Sequence, residues 1–307
     1  MKNSSIIRRL RATAFVLAVV CLFPAVVISY TMRQFPSRAL AEQPEITCIS
    51  SFSTYYGDSS DNRKHNIALA AKLIDGTVII PEEEFSFNDV VGARTEARGF
   101  RTAYIIKDGE FVEGVGGGVC QVSSTLYNCA LLADLYITCV HPHSLPVTYV
   151  APSFDAMVSS ASDLRFANTL SAPVTVRMTA DGKYLKAEIY GVSGGARIRR
   201  RSVAKGTIPR GTEYVDDASL PVGEEIVEMA GKDGLKSEGY LEYFSDGILL
   251  RSVLIRRDSY KPQLRVIRRG TAPAVADDGT PPAPADTSPS PASVYATDFP
   301  YAPCPTD

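Results

Sequence analysis

The segment Gly116-Gly117-Gly118-Val119-Cys120-Gln121-Val122-Ser123-Ser124-Thr125-Leu126-Tyr127 sets a glycine run and a cysteine directly ahead of a helical pattern. Glycines carry no Cβ, so their backbone N–H groups can approach a ligand closely. From Val122 the apolar residues Leu126, Cys129, Ala130 and Ala133 recur along one helical face. Cys120 is therefore expected at a helix N-terminus, where free N–H groups and the macrodipole favour a negative group such as a thiolate.

Outward from this turn, the N-terminal side reads as short strands and one helix. Arg63 to Ile74 places Ile67, Ala70, Ala71 and Ile74 on one face, with Asp61 or Asn62 as N-cap. Thr77–Ile80 reads as a strand closed by Pro81, and Phe85-Ser86-Phe87-Asn88 as a strand end or loop. Arg101–Ile106 and Glu110–Val112 form an expected hairpin about Asp108-Gly109. On the C-terminal side, Tyr136–Val140 is an expected strand leading into His141-Pro142-His143-Ser144. Pro146–Val150 and Met157-Val158 look extended, and a hairpin about Asp181-Gly182 joins Pro173–Met178 to Tyr184–Tyr190.

The fold class expected is α+β: a mixed domain over residues 45–191, with the Gly-Cys helix on a mainly antiparallel sheet, then a small all-β module over 198–270. Residues 1–44 form an N-terminal segment. Lys2, Arg8, Arg9 and Arg11 precede an uncharged run from Thr13 to Tyr30, long enough to span a bilayer with the remainder outside the cytoplasm. The expectation is a single-pass membrane anchor through residues 13–30. The alternative is a secreted chain cleaved after Ala41 in Ala39-Leu40-Ala41. Residues 271–307, rich in Pro, Ala, Thr, Ser and Asp, read as a disordered tail.

The bulk numbers narrow the function classes. A chain of 307 residues, 45% hydrophobic and 21% charged, can bury a sizeable core, and a formal net charge of −2 offers no basic field for nucleic acid. Six cysteines in this length do not make a disulfide scaffold, and no pairing among Cys48, Cys120, Cys129 and Cys139 is fixed by the sequence.

Several blocks together resemble the VanW family, named for an accessory gene of some vancomycin-resistance clusters. They are Phe85-Ser86-Phe87-Asn88 with Gly92, the Gly116–Asn128 stretch, His141-Pro142-His143-Ser144, and Asp155-Ala156 followed by Asp163-Leu164-Arg165-Phe166. The order is intact across roughly residues 50–191. One departure is Ser153-Phe154, where the family usually has a glycine and a basic residue before the aspartate. Residues 198–269 are similar to the G-five module that often follows this domain in wall-associated proteins. The resemblance implies a cell-envelope protein that meets peptidoglycan or another wall polymer, and leaves its chemistry open.

The residues allow two kinds of chemistry at the turn. A thiol at a helix start, followed by a strand carrying a histidine, is the arrangement of papain-like and transglutaminase-like folds, in which a third polar group orients the imidazole. Here Cys120 would be the nucleophile and His143 the base, with Asp155 or Asp163 as orienter and Asp155 the choice. N–H groups near Gly118 and Cys120 would form an oxyanion hole. That enzyme is the alternative. The expectation is a protein that binds peptidoglycan or a related wall polymer without catalysis, Cys120 being a small buried filler of the glycine turn. A non-catalytic cradle would draw on Gly116, Gly117, Gly118, Gln121, Ser123, Ser124 and Tyr127, with Phe87, Asn88, His141, Ser144 and Asp163 around it. Cys139, His141 and His143 alternate on one face if the strand continues, which admits zinc, but no second ligand cluster exists. No metal and no cofactor are expected. Arg94-Thr95-Glu96-Ala97-Arg98 reads first as a solvated loop and second as a contact for an anionic wall polymer.

Overall fold

The computed structural model describes residues 45–107, 110–195 and 197–272. The expected anchor at 13–30, the Ala41 cleavage site, the turn at Asp108-Gly109 and the tail from 273 onward lie outside the described residues. Among the described residues, no helix is long and apolar enough to cross a membrane.

The chain is mostly β-sheet with few helices. In order come β1 (Thr47–Tyr55), α1 (Asp61–Ile74), β2 (Val78–Ile79), β3 (Glu84–Ser86) and α2 (Phe87–Val91). A 3₁₀ turn (Glu96–Arg98) leads to β4 (Thr102–Lys107), β5 (Glu110–Val115), α3 (Val119–Leu132) and β6 (Tyr136–Cys139). Then follow β7 (Arg165–Ala167), β8 (Val174–Ala180), β9 (Tyr184–Gly191) and the long strand β10 (Arg197–Ile208). The last strands are β11 (Thr212–Pro221), β12 (Glu225–Met229), β13 (Gly234–Ser245), β14 (Ile248–Tyr260) and β15 (Arg265–Ala272).

The described chain forms two compact units: one runs to Gly211 and takes up Gly231–Leu264, the other joins Thr212–Ala230 to the chain from Arg265. The second unit is a three-stranded sheet in the order β11-β15-β12, with β11 parallel and β12 antiparallel to β15. The first unit holds an antiparallel sheet β1-β9-β8-β2, the small sheet β3-β7-β6, the hairpin β4-β5 and the antiparallel sheet β10-β13-β14.

The core of the first unit follows from two periodicities. On β8 and β9, alternate residues Val174, Val176, Met178, Leu185, Ala187 and Ile189 are buried on one sheet face. Helix α1 lays Ile67, Ala70, Ala71 and Ile74 against β8, while α3 packs on β1 and β9. The N-cap of α1 is Ser60, one residue earlier than expected, with its side chain accepting from the Arg63 N–H.

Helix α3 is buried on every side from Val122 to Leu131, so its apolar stripe understates its burial. Its polar residues carry internal bonds instead of solvent contacts. Thr125 bonds Thr54 through the two hydroxyls at 2.8 Å, and Gln121 Nε2 donates to Tyr55 O at 2.8 Å and Thr54 Oγ1 at 3.0 Å.

Two expected extended segments, Pro146–Val150 and Met157-Val158, form no strand; they run as loop over the mouth of the site. Pro146 removes a ladder donor, and Met157 N–H is used instead to bond His141 O at 2.8 Å.

Asn66 ties α1 to the glycine turn. Fully buried, it donates to Arg101 O (2.8 Å) and Gly117 O (3.0 Å) and accepts from Arg101 N (2.7 Å). We predict that Asn66→Ala lowers stability by about 2–4 kcal/mol, because buried backbone groups lose their partners. Urea unfolding of wild type and variant checks this, and a difference under about 0.5 kcal/mol, the range of an ordinary surface change, sinks it.

Candidate active site

The glycine turn is shaped by what leans on it. Gly116 and Gly118 hold φ of 91° and 107°, the left-handed region that favours glycine, and Gly118 is the N-cap of α3. A Cβ on Gly117 would stand 2.6 Å from Tyr104 O, so backbone passes where a side chain would be. Gly116 lies under the Arg94 stem and Gly118 under the Arg63 stem, where added Cβ atoms would meet side-chain carbons at 3.0 and 3.1 Å.

Cys120 sits in the first turn of α3, partly open to a cavity of about 790 Å³. Its Sγ donates to Val158 O at 3.4 Å, and the His143 imidazole, which lines the same cavity, acts on it electrostatically. His143 is 5% exposed, and its Nδ1 bonds Asp155 Oδ2 at 2.7 Å, which leaves Nε2 as the second ring nitrogen. The His143 backbone N–H donates to the same Oδ2 at 2.7 Å.

Asp155 is fully buried and held from two directions. Its Oδ1 accepts from Tyr260 Oη and Arg256 Nη2, each at 2.7 Å, and Arg256 Nη1 also bonds the Asp155 carbonyl at 2.7 Å. Arg256 and Tyr260 come from β14, far along the chain.

The electrostatics follow from this chain of contacts. Burial works against a charged Asp155, but His143, Arg256 and Tyr260 outweigh it and bring the carboxyl down to about 2. Burial also works against a charged imidazole, yet Asp155 and Cys120 hold His143 up at about 9. For Cys120, burial raises the thiol while the His143 hydrogen bond and charge, with Arg94, bring it below its ordinary value. These shifts run in the direction that favours a thiolate beside an imidazolium on a buried carboxylate. By contrast, burial raises Cys48, and it pushes Cys129, on the same helix as Cys120, up to about 12. Cys48, Cys120, Cys129 and Cys139 are free thiols.

The other residues singled out from sequence fall into three places. Gly116, Gly118, Cys120, Gln121 and His143 line the cavity. Phe87, Ser123, Ser124 and Tyr127 are buried and support it from behind: Ser123 Oγ donates to Ala156 O (2.6 Å), and Ser124 Oγ accepts from Ala156 N (2.9 Å). Asn88 and Asp163 brace the neighbouring loop, Asp163 accepting from Ser86 Oγ, Asn88 N and Arg165 Nε. His141 and His143 do not share a face, since β6 ends at Cys139. His141 Nε2 contacts Cys139 Sγ at 3.4 Å, while His143 turns inward. Ser144 offers its carbonyl to Lys261 N at 2.7 Å. Among the described residues no cluster of His, Cys, Asp and Glu could hold a metal ion.

Sequence reasoning missed Arg63, Tyr149, Arg256 and Tyr260. Tyr149 lines the cavity and is pushed up by burial and then by Cys120. Long-range contacts place all four, and no local pattern marks them. The Ser153-Phe154 departure also has a structural account. Ser153 takes the left-handed φ of 68° that a glycine would take freely. Its Oγ pairs with Ser237 Oγ at 2.7 Å and its N–H donates to Tyr260 Oη at 2.7 Å. Phe154 lies under the Arg200 guanidinium, 5.0 Å from its ring centre.

A thiol at the start of α3, near a buried imidazole–carboxylate pair on the loops after β6, lies in a chain of two matched segments. The chain carries a VanW family domain and a C-terminal G5 domain. Residues 62–190 match the family described as VanW like protein, and 199–272 match the G5 domain. "Uncharacterized protein YoaR" of Bacillus subtilis is 42% identical over 164 residues, covering 53% of this chain and 54% of the relative. "Vancomycin B-type resistance protein VanW" of Enterococcus faecalis is 26% identical over 136 residues, 42% of this chain and 50% of the relative. The chain thus spans about half the length of these curated relatives. The crystal structure of HP0197-G5 is 28% identical, over 24% of this chain and 97% of that one, at a TM-score of 0.17.

Two predictions come from the relay. His143 has a folded pKa of about 9 against an ordinary 6.5, so its stabilising contribution is complete below about 6.5 and is lost as pH rises through about 9. Asp155 runs the other way: its contribution is complete above 3.8 and is lost as pH falls through about 2. Cys120 runs opposite to His143, its lowered thiol adding stability as pH rises, so the comparison is made in Cys120→Ser. Unfolding midpoints measured from pH 3 to 10 should decline on the alkaline side there and much less once His143→Gln is added; parallel curves would refute the Asp155–His143 pairing. Arg256→Met leaves a buried carboxylate without its cation and should cost about 3–5 kcal/mol. Chemical denaturation reads this directly, and a loss below about 1 kcal/mol, as for an exposed pair, contradicts it.

Proposed function

We propose that this protein is a cysteine-dependent acyl-transfer enzyme of the cell envelope, with Cys120 as nucleophile, His143 as acid and base, and Asp155 as orienter. The observation that carries the reading is the buried Asp155–His143 pair, with His143 and Cys120 lining one cavity. Its substrate would be an amide of peptidoglycan peptide, or of a peptide linked to glycan. The domain pairing with a relative titled a vancomycin B-type resistance protein supports a wall setting.

The steps follow from the charges. Thiolate Sγ attacks the amide carbonyl carbon, and the oxygen takes the negative charge. Cys120 N–H is one of the donors left free at the helix start; its neighbours Val119 and Gln121 bond Gly116 O and Gly118 O. It is the natural oxyanion donor. The His143 imidazolium passes its proton to the amide nitrogen as the C–N bond breaks, leaving a thioester and a free amine. Water or a second amine then attacks the thioester carbonyl and gives its proton to neutral His143. The C–S bond breaks and the thiolate–imidazolium pair returns. In this reading residues 13–30 hold the chain to the membrane with the enzyme outside the cytoplasm, cleavage after Ala41 being the secreted variant. The G5 domain supplies a second contact with wall polymer. The transglutaminase-like comparison belongs here too, as an analogy of helix-start thiol and following histidine.

A second reading, a non-catalytic cradle for a wall fragment, is favoured by one observation: Cys120 Sγ rests on Val158 O, at 3.4 Å. Purified sacculi separate the two. Cys120→Ala, Cys120→Ser and His143→Ala should each lower amide processing at least about 10³-fold while sacculus pelleting stays unchanged. Full processing by all three variants would end the catalytic reading.

A further inference from the structure

We propose that Arg63 and Arg94 form an anion subsite beside Cys120 that receives a carboxylate of the substrate, so that the preferred acyl donor carries a free carboxylate next to the bond attacked. The inference deepens the enzyme reading and rests on it for the word donor. The subsite itself rests on geometry that holds whether or not Cys120 reacts.

Both residues line the cavity that Cys120 opens into. Their stems pack on the glycine turn from two sides, Arg94 against Gly116 and Arg63 against Gly118. Both are partly buried, and among the described residues neither has a carboxylate within salt-bridge distance. Arg63 donates to Ser59 Oγ at 3.2 Å and Gln121 Oε1 at 2.8 Å. Arg94 donates to Asn88 Oδ1 at 2.7 Å and Gly92 O at 3.1 Å. All four acceptors are neutral, so the guanidiniums are aimed but not neutralised. The other arginines near the relay differ: Arg256 is neutralised by Asp155 and Asp258, and Arg165 by Asp163 and Glu84.

Two partly buried cations without acids are costly unless an anion completes them. The Cys120 thiolate answers part of that charge, since it interacts with both, and Asp163 acts on Arg94 from farther off. With His143 answered by Asp155, one thiolate faces two guanidiniums and leaves positive charge over. The remaining positive charge lies where a ligand enters, and a planar fork is the geometry that binds carboxylates. The rest of the lining includes Tyr104, Phe111, Val147 and Met157, which suits the uncharged body of a short peptide.

Alkylation of Cys120 tests the subsite with no substrate in hand. Iodoacetate carries the carboxylate and iodoacetamide is its neutral isostere, so the ratio of their rates cancels the thiolate fraction. Rates at Cys120 would be read by peptide mass mapping on the full chain. In wild type the iodoacetate-to-iodoacetamide ratio should exceed that of a small free thiol by about tenfold, the scale of one charged hydrogen bond. It should fall to the free-thiol value in the Arg63→Gln, Arg94→Gln double variant. N-acetyl-alanine should protect wild-type Cys120 while its amide does not, a measurement that needs no variant to fold. A wild-type ratio at the free-thiol value overturns the proposal. A raised ratio that the double variant keeps overturns the assignment to these arginines. Loss of the ratio with sacculus processing intact removes the subsite alone, and a raised ratio in a protein that processes nothing removes the enzyme reading alone.

Discussion

A single buried carboxylate organises the first unit. Asp155 has no solvent exposure, and a charge in that position survives only if donors surround it. They do: His143 offers two N–H groups from the loop after β6, and Arg256 and Tyr260 reach in from β14. Elements distant in sequence must therefore meet at this residue before any of them is satisfied. The same requirement fixes the imidazole: with Nδ1 on Asp155, the ring can rotate neither away from Cys120 nor toward solvent.

The loop that carries Asp155 is itself clamped between the polar side of α3 and the sheet β10-β13-β14. On the helix side, Ser123 and Ser124 hold the backbone of Ala156, and Asn128 Nδ2 donates to Phe154 O at 2.7 Å. On the sheet side, Ser202 Oγ donates to Pro152 O at 2.8 Å, Ser237 holds Ser153, and Arg200 bonds Asn128 while covering Phe52 and Phe154. This explains a helix rich in serine, threonine and asparagine with no exposed polar face. Those side chains are the sockets for a loop, and each is costly to leave unpaired. It also means that part of the G5 segment, β10 with β13 and β14, supports the relay, so a cut near residue 191 would strip Asp155 of its cation and its phenol.

Much of this was legible in the sequence, and the limit is physical. Local signals carried Cys120 to a helix start, the β8–β9 hairpin to Asp181-Gly182, and the mostly β character to the C-terminal module. His143 and Asp155 were reachable because a thiol at a helix start invites a search for an imidazole and a carboxylate downstream. Period alone failed at His141 and His143. Alternation assumes a continuing strand, and β6 stops at Cys139, so one ring turns to Cys139 and the other to Asp155. Arg63 looked like an ordinary helix residue and Arg94 like part of a solvated loop, because nothing within a few residues of either reports that its stem will lie on a glycine. Arg256 and Tyr260 sit on a strand whose alternation explains them without reference to the site. Contacts between distant segments are the information that one sequence does not display.

The contrast between two cysteines of one helix bears most directly on whether Cys120 is a nucleophile or a filler. Cys129 is what a filler looks like: fully buried, its Sγ against Ala187 O at 3.3 Å and Ser50 Oγ at 3.1 Å, its thiol pushed up to about 12 by burial. Cys120 also suffers burial, yet an imidazolium backed by a carboxylate reverses the direction of the shift. A packing role needs none of that apparatus. A buried Asp, a His held by two hydrogen bonds, an arginine and a tyrosine supplied from β14 would be an expensive way to hold a small side chain in a turn. Each of those groups fits the proposed role of Cys120, since together they lower its thiol at a cavity that it lines.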